Sequence, residues 1–225
     1  MARTLSCPVG PGPATPPQEE PVTRRALDLL GCTDPLPHTP RRVLVSGTSG
    51  SGKTTLAARL AEAWGLTHVE IDALFHGPGW TPRPTFVVDV EAFSAEDDWV
   101  TEWQYTSHLG DLLVQRADLL VWLDLPRHVV MRQVVRRTLR RRLRREVLWN
   151  GNVEDPLWKV LTDREHIIRW AWDTHAKQPR RIAAARRVRP NLPVVRLRSR
   201  REVDAWLAAV AWVPQISRRR GCGAT

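Results

Sequence analysis

The stretch VLVSGTSGSGKTTLAARL, residues 43–60, decides the fold. Residues 42–46 (RVLVS) form a short β-branched apolar run, which favours a strand. Residues 53–63 are good helix formers with Leu56, Leu60 and Ala63 on one face. Between them, Gly47-Thr-Ser-Gly-Ser-Gly52-Lys53-Thr54 matches the eight-residue phosphate loop at every fixed position, in the strand–loop–helix setting that gives the motif its meaning. Glycines stand where backbone amides must turn inward and approach an anion closely, and the helix that starts near Lys53 adds its positive end. The backbone of Gly47, Ser49, Gly50, Ser51 and Gly52 is expected to hold the phosphates of a nucleoside triphosphate, with Thr55 as the next helical neighbour. Lys53 would reach the outer phosphates as a point charge, and the Thr54 hydroxyl would ligate a magnesium ion bridging two of them.

On either side of this unit, strands alternate with helices. HVEI (68–71) reads as a second strand ending at Asp72, and the following HGPGWTPRP carries too many turn residues to be regular. Residues 85–96 have helical spacing through Phe86, Val90 and Phe93, residues 98–103 read as a third strand with Glu102 at its end, and a short helix spans 108–116. ADLLVWLDLP (117–126) is an apolar run closed by proline, the pattern of a strand buried on both faces. Met131, Val134, Val135, Leu139 and Leu143 then recur along one amphipathic helix from about 127 to 147. A second helical region covers about 155–189, LPVVRLR (192–198) is a fifth strand, and 200–212 closes the chain as a helix. This order predicts an α/β fold with a parallel sheet, helices on both faces and ligands at the carboxyl ends of the strands.

Composition narrows the function. The chain has 225 residues, enough for one sizeable core, read as a domain over 41–213. Nine of the eighteen prolines fall in the first forty residues, which read as a disordered tail, and 214–225 reads as a flexible basic one. There is no secretory signal pattern and no bilayer-length apolar run, so a soluble, cytoplasmic protein without a membrane partner is expected. Cys7, Cys32 and Cys222 lack disulfide or metal-ligand spacing. The oligomeric state leaves no mark in the sequence. The net charge of +10 is concentrated: eight of the fourteen residues from Arg132 to Arg145 are arginine, and a second cluster runs through Arg180, Arg181, Arg186, Arg187 and Arg189.

Phosphoryl transfer asks the protein to align an acceptor, neutralise charge and supply carboxylates. Glu102 is placed to orient magnesium or to act as general base, against the alternative of an exposed strand-end glutamate. Asp72 is placed to face an acceptor hydroxyl, against the alternative of a helix or turn cap. Asp124 ranks below Glu102, because its strand should flank the loop strand on the other side. The arginine helix has three readings: a solvated face, a lid that closes guanidinium groups on the transferring phosphate, or a surface that tracks a nucleic-acid backbone.

GTSGSGKTTLA, IDALFHGPGWTPRP, ADLLVWLDLPR, RRTLRRRLRREVLWNGN and VVRLRSRREVDAWL together resemble the nucleoside monophosphate kinase group of P-loop proteins. Within it they look closest to the bacterial adenylate-kinase-like family labelled topology modulation proteins. The resemblance spans Arg41 to Trp212. It implies a three-layer α/β/α P-loop NTPase fold with a five-stranded sheet in the order 2-3-1-4-5, a helical arginine-rich lid at about 136–165, and ATP with Mg2+ as donor. Aligning LDLP puts Gln133 where adenylate kinases have a base-stacking arginine, and Arg137 where they have a phosphate ligand. Arg198 matches the segment bordering the adenine, and TEWQY stands where the close family commonly has an aspartate-glycine-asparagine segment. Together these readings anticipate a kinase acting on a small acceptor, a nucleotide or nucleoside among the possibilities. Lys53, Glu102, Asp72 and Arg137 would be its catalytic set, and a nucleotide-regulated nucleic-acid-binding ATPase is the alternative.

Overall fold

The computed structural model describes residues 29–144, 149–151, 172 and 174–211. A central strand β1 (Arg42–Gly47) leads through the glycine loop into α1 (Lys53–Trp64). Then come β2 (Thr67–Val69), α2 (Ile71–Phe75), α3 (Phe86–Ala95) and β3 (Trp99–Glu102). The short helices α4 (Thr106–Leu109) and α5 (Leu112–Arg116) precede β4 (Leu119–Leu123) and α6 (Arg127–Arg144). After α6 lie α7 (Gln178–Val188), β5 (Val194–Leu197) and α8 (Arg200–Ala211).

All five strands run parallel in the order β2-β3-β1-β4-β5. Because neighbouring side chains on a strand point to opposite faces, each strand feeds two cores. Val43, Val45, Val121, Val195 and Leu197 pack under α1 and α8, while Leu44, Leu120, Trp122 and Val194 pack under α3, α5 and α7. The result is the three-layer P-loop architecture, with Glu102 opposite Val45 in the β1–β3 register.

Several elements differ from the sequence reading. HVEI is not a strand to its end: β2 stops at Val69 and Ile71 opens a helix, driven by complete burial of that side chain, so Asp72 sits in a helical first turn. Two residues of the irregular segment pair, His76 with Pro82, around a 3₁₀ turn at Pro78–Trp80. The helix expected over 108–116 is two helices parted at Gly110, whose φ of 53° and ψ of −128° no helix tolerates. The apolar stripe assigned to α6 is also rotated. Val130, Val134 and Thr138 face inward, whereas Val135, Leu139 and Leu143 are exposed, because the helix docks on the glycine loop through Val134. Residues 152–165 of the expected lid, and much of the 155–189 helical region, lie outside the described residues. So do residues 1–28 and 212–225, which include most of the expected tails. The stretch from 29 to 40 packs on the domain: Leu30 bridges Val195 at the sheet edge, donating to the Val194 carbonyl at 2.9 Å. No helix among the described residues is long and apolar enough to cross a membrane.

Candidate active site

The carboxyl ends of the five parallel strands lie along one edge of the sheet, with the loop after β1 at its centre. Gly50 and Gly52 adopt left-handed φ values of 80° and 98°, conformations that cost glycine nothing, and the Ser51 amide closes a turn onto the Thr48 carbonyl at 3.0 Å. A Cβ on Gly50 would overlap the Val134 side chain of α6. Gly50→Ala therefore combines backbone strain with an overlap against a fully buried valine, and should lower stability by about 2–4 kcal/mol. In urea denaturation, Gly50→Ala combined with Val134→Ala should lose less than the sum of the two single losses, since only the overlap is relieved.

Lys53, the first residue of α1, is buried with its ammonium 3.4 Å from the Thr48 carbonyl. Burial lowers its pKa from the usual 10.5 to about 8. The charges of Arg137 and Arg181 push in the same direction, and Asp72 and Glu102 oppose them. Both sequence-chosen carboxylates and the sequence-chosen Arg137 thus lie within electrostatic reach of the loop lysine.

Glu102 is not the exposed strand-end glutamate of the alternative reading: it is 1 % exposed. His68 Nε2 lies 3.4 Å from its Oε1, the Ile71 amide donates to its Oε2 at 3.3 Å, and the Thr54 hydroxyl also donates to it. Burial alone would raise its pKa, but these donors outweigh burial and hold the carboxyl below the usual range. A hydroxyl and an ionised carboxylate side by side at the end of a phosphate loop form an oxygen donor set that suits a hard divalent cation such as magnesium.

Asp72 belongs to a different network. Its Oδ1 accepts from the Tyr105 hydroxyl at 2.6 Å and from the Gln104 amide at 3.1 Å. The Tyr105 oxygen in turn lies 3.1 Å from His76 Nε2. Burial first, and then Asp72, push the Tyr105 pKa up, so the phenol keeps its proton and remains a donor. Burial lowers the pKa of His76. Tyr105 stacks on Phe75 with ring centres 4.0 Å apart and meets Phe86 edge-on at 5.3 Å. Among the described residues, only Trp80, Tyr105 and Asn150 have positive φ without being glycine, and all three touch His76. Trp80 packs against its ring at 5.0 Å, Tyr105 meets its Nε2, and the Asn150 side-chain amide donates to its carbonyl. Strain of this kind persists only where the surroundings enforce it, and it clusters at ligand sites.

Two helices add arginines. Arg137 sits beside the buried Thr138 of α6. Arg181 of α7 lies with its guanidinium 4.6 Å from the centre of the Trp103 ring and donates to the Trp103 carbonyl at 3.3 Å; burial lowers its pKa. The same helix is anchored by Gln178, which accepts from the Ser46 hydroxyl at 3.3 Å. In the sequence Arg181 is one member of an arginine cluster with no site role. The only local signal is a polar Gln178 three residues ahead of it and one turn before the buried Ile182.

The other predicted residues lie farther out. Asp124 is bound to Arg196 of β5, whose Nε donates at 2.8 Å. Thr55 is exposed beside the loop, and Arg198 is exposed, with its backbone amide donating to Glu202 at 2.8 Å.

No protein-family model matches the chain, and no curated protein matches its sequence. Among solved structures it is similar to shikimate kinase from Acinetobacter baumannii in complex with shikimate, at 14% identity and a TM-score of 0.47, covering 76% of this chain and 92% of that one. It is similar to shikimate kinase from Bacteroides thetaiotaomicron at 14% identity and a TM-score of 0.40, covering 76% and 96%. It also resembles a gluconokinase from Sinorhizobium meliloti 1021, at 21% identity and a TM-score of 0.42, covering 76% and 94%. The assignment of the fold rests on the strand order and the loop conformation of this chain.

Proposed function

We propose that the protein is an ATP-dependent phosphotransferase that moves the γ-phosphoryl group of ATP to a hydroxyl of a small acceptor. A nucleotide or nucleoside acceptor, as in adenylate-kinase-like proteins of the topology modulation type, is the class to test first. One observation carries the reading: a buried loop lysine feels the charge of two carboxylates, Glu102 at the end of β3, tied to Thr54, and Asp72 in the first turn of α2, tied to Tyr105.

In this reading, the backbone amides of 47–54 hold the phosphates, and Lys53 neutralises their outer end. Thr54 and Glu102 would hold magnesium, which supplies charge neutralisation between the phosphates. Glu102 already carries several donors and an acid-shifted pKa, so it suits a cation better than a proton. Asp72 is the better base: among the described residues Tyr105 and Gln104 both occupy Oδ1, and Oδ2 would take the acceptor hydroxyl. The acceptor oxygen bonds to the γ-phosphorus, the bond to the bridging oxygen breaks with its electron pair leaving on ADP, and the hydroxyl proton passes to Asp72. Arg137 and Arg181 offset the charge spread over the transferring group. Arginines turned toward a buried lysine serve this role better than they would serve an outward nucleic-acid surface. Such a protein would act in the cytoplasm, where ATP and magnesium are supplied.

The test is ADP release from MgATP against nucleoside monophosphates, nucleosides, cyclic and sugar-derived hydroxy acids and duplex DNA, with Lys53→Ala as the blank. Release stimulated by one small acceptor, with a phosphorylated product, is the expected result. Stimulation by DNA alone without such a product would overturn the proposal. With the acceptor in hand, Arg181→Ala should lower kcat about 10–100-fold, whereas Arg186→Ala, on the far part of α7, should leave it within twofold.

A further inference from the structure

The described chain ahead of β1 is fixed at both ends and irregular between them. Leu30 donates to the Val194 carbonyl at 2.9 Å and accepts from the Arg196 amide at 2.8 Å, which ties it to the edge of β5. Pro40, two residues ahead of β1, is buried. Between these anchors Pro35 and Pro37 lock φ and withhold amide donors, so the segment neither coils into a helix nor continues along the sheet. It encloses a cavity of about 380 Å³ against the last turns of α1 and α8, a volume in the range of small-molecule sites. This cavity is remote from the loop: Lys53 is the first residue of α1 and Trp64 the last, about 16 Å apart along the helix axis.

The lining is aromatic and aliphatic. Leu36 and Val210 contribute aliphatic surface, and the rings of Trp64 and Trp206 meet at 86° with centroids 6.0 Å apart. Trp64 Nε1 donates to the Val210 carbonyl at 3.3 Å, whereas Trp206 Nε1 is buried with no partner among the described residues. A buried donor left unpaired is costly, and an acceptor brought to it offsets that cost. Charge is nearly absent. In a chain of net charge +10, the described lining holds no lysine or arginine, and its one carboxylate, Asp34, already accepts from the Gly31 amide at 2.7 Å.

We propose that this cavity is a second ligand site, taking an uncharged planar molecule of two fused rings that carries a hydrogen-bond acceptor for Trp206. Flat rings suit two tryptophans set at right angles, one of which can offer a face while the other offers an edge. A lining without cations disfavours nucleotides and other anions, so the site differs from the phosphate loop in chemistry as well as in position.

The experiment is an NMR titration of the full chain, 15N-labelled at its eleven tryptophans, with three probes. Coumarin is a flat, uncharged pair of rings with a carbonyl acceptor, coumarin-3-carboxylate adds a negative charge, and cyclohexanone keeps the carbonyl without the aromatic plane. Loss of one indole signal in Trp206→Phe identifies that of Trp206. Coumarin should move the Trp206 indole signal downfield and shift that of Trp64, while the indoles of Trp99 and Trp122, on the other face of the sheet, stay in place. The other two probes should bind at least about tenfold more weakly. Ala209 lines the cavity and is exposed, so Ala209→Trp should fill it and abolish the coumarin shifts without lowering the urea midpoint. No shift of Trp64 and Trp206 at millimolar coumarin would overturn the proposal, as would a shift of Trp64 alone, equal or tighter binding of the carboxylate or of cyclohexanone, or undiminished coumarin binding in Ala209→Trp. The proposal is independent of the phosphotransferase reading, since no arm contains nucleotide.

Discussion

Replacing Lys53 by methionine will make the nucleotide-free protein more stable and, in the proposed phosphotransferase, abolish phosphoryl transfer. The two effects have one cause. The fold buries an ammonium that water would solvate better, and the attraction of Asp72 and Glu102 does not cancel the penalty, since the pKa falls from 10.5 to about 8. That displacement corresponds to about 3 kcal/mol, an upper bound on what the uncharged isostere recovers at pH 7. The pH dependence has a definite sign. Between pH 8 and 10.5 the unfolded lysine keeps a proton that the folded one has lost, so wild-type stability rises with pH in that window, and the rise is missing in Lys53→Met. A phosphate binding beside Lys53 restores its proton, so nucleotide binding near pH 8.5 should take up protons, measurable by titration in buffers of different ionisation enthalpy. Turnover should drop by at least about a thousandfold, because the outer phosphate loses its buried counter-charge. A methionine variant that is less stable than wild type at pH 7 would refute this account.

Glu102→Gln tests the opposite kind of site, one in which the buried charge is satisfied. The isosteric amide keeps one acceptor oxygen for His68, Thr54 and the Ile71 amide but loses the other and the charge. The expected loss of stability is about 1–2 kcal/mol at pH 7, with kcat down about a thousandfold and the KM for ATP changed far less. Because the folded pKa lies below the unfolded one, the Glu102 contribution is complete above the ordinary carboxylate value of about 4.3. It is lost as pH falls through the lower folded value. The wild type should therefore lose more stability than Glu102→Gln in that acidic range, and parallel acid-unfolding curves would remove the carboxylate from the network described here.

The glycine loop illustrates what a sequence shows well. Its conformation depends on residues close together in the chain, and Gly47, Gly50 and Gly52, which permit it, all fall within the loop, so the motif reads directly from 47–54. The apolar runs of β1 and β4 were equally legible, because strands buried on both faces need no polar alternation. Glu102 and Asp72 followed from their places at or just after strands. Their environments did not: nothing local distinguishes a glutamate surrounded by donors from one in solvent. Tyr105, the chain's single tyrosine, gave no sign that its hydroxyl would reach back 33 residues to Asp72.

The sequence by itself therefore determined the alternation of strands and helices and the glycine loop that leads from β1 into α1 at Lys53, since each depends on residues adjacent in the chain. The tertiary structure alone decided which face of α6 turns inward, because the Gly50 gap selects Val134 over Val135. It also decided that Arg181 rather than its neighbours approaches Lys53. Those placements depend on contacts between segments far apart in sequence, where hydrophobic periodicity specifies that a face is buried but not what it will meet.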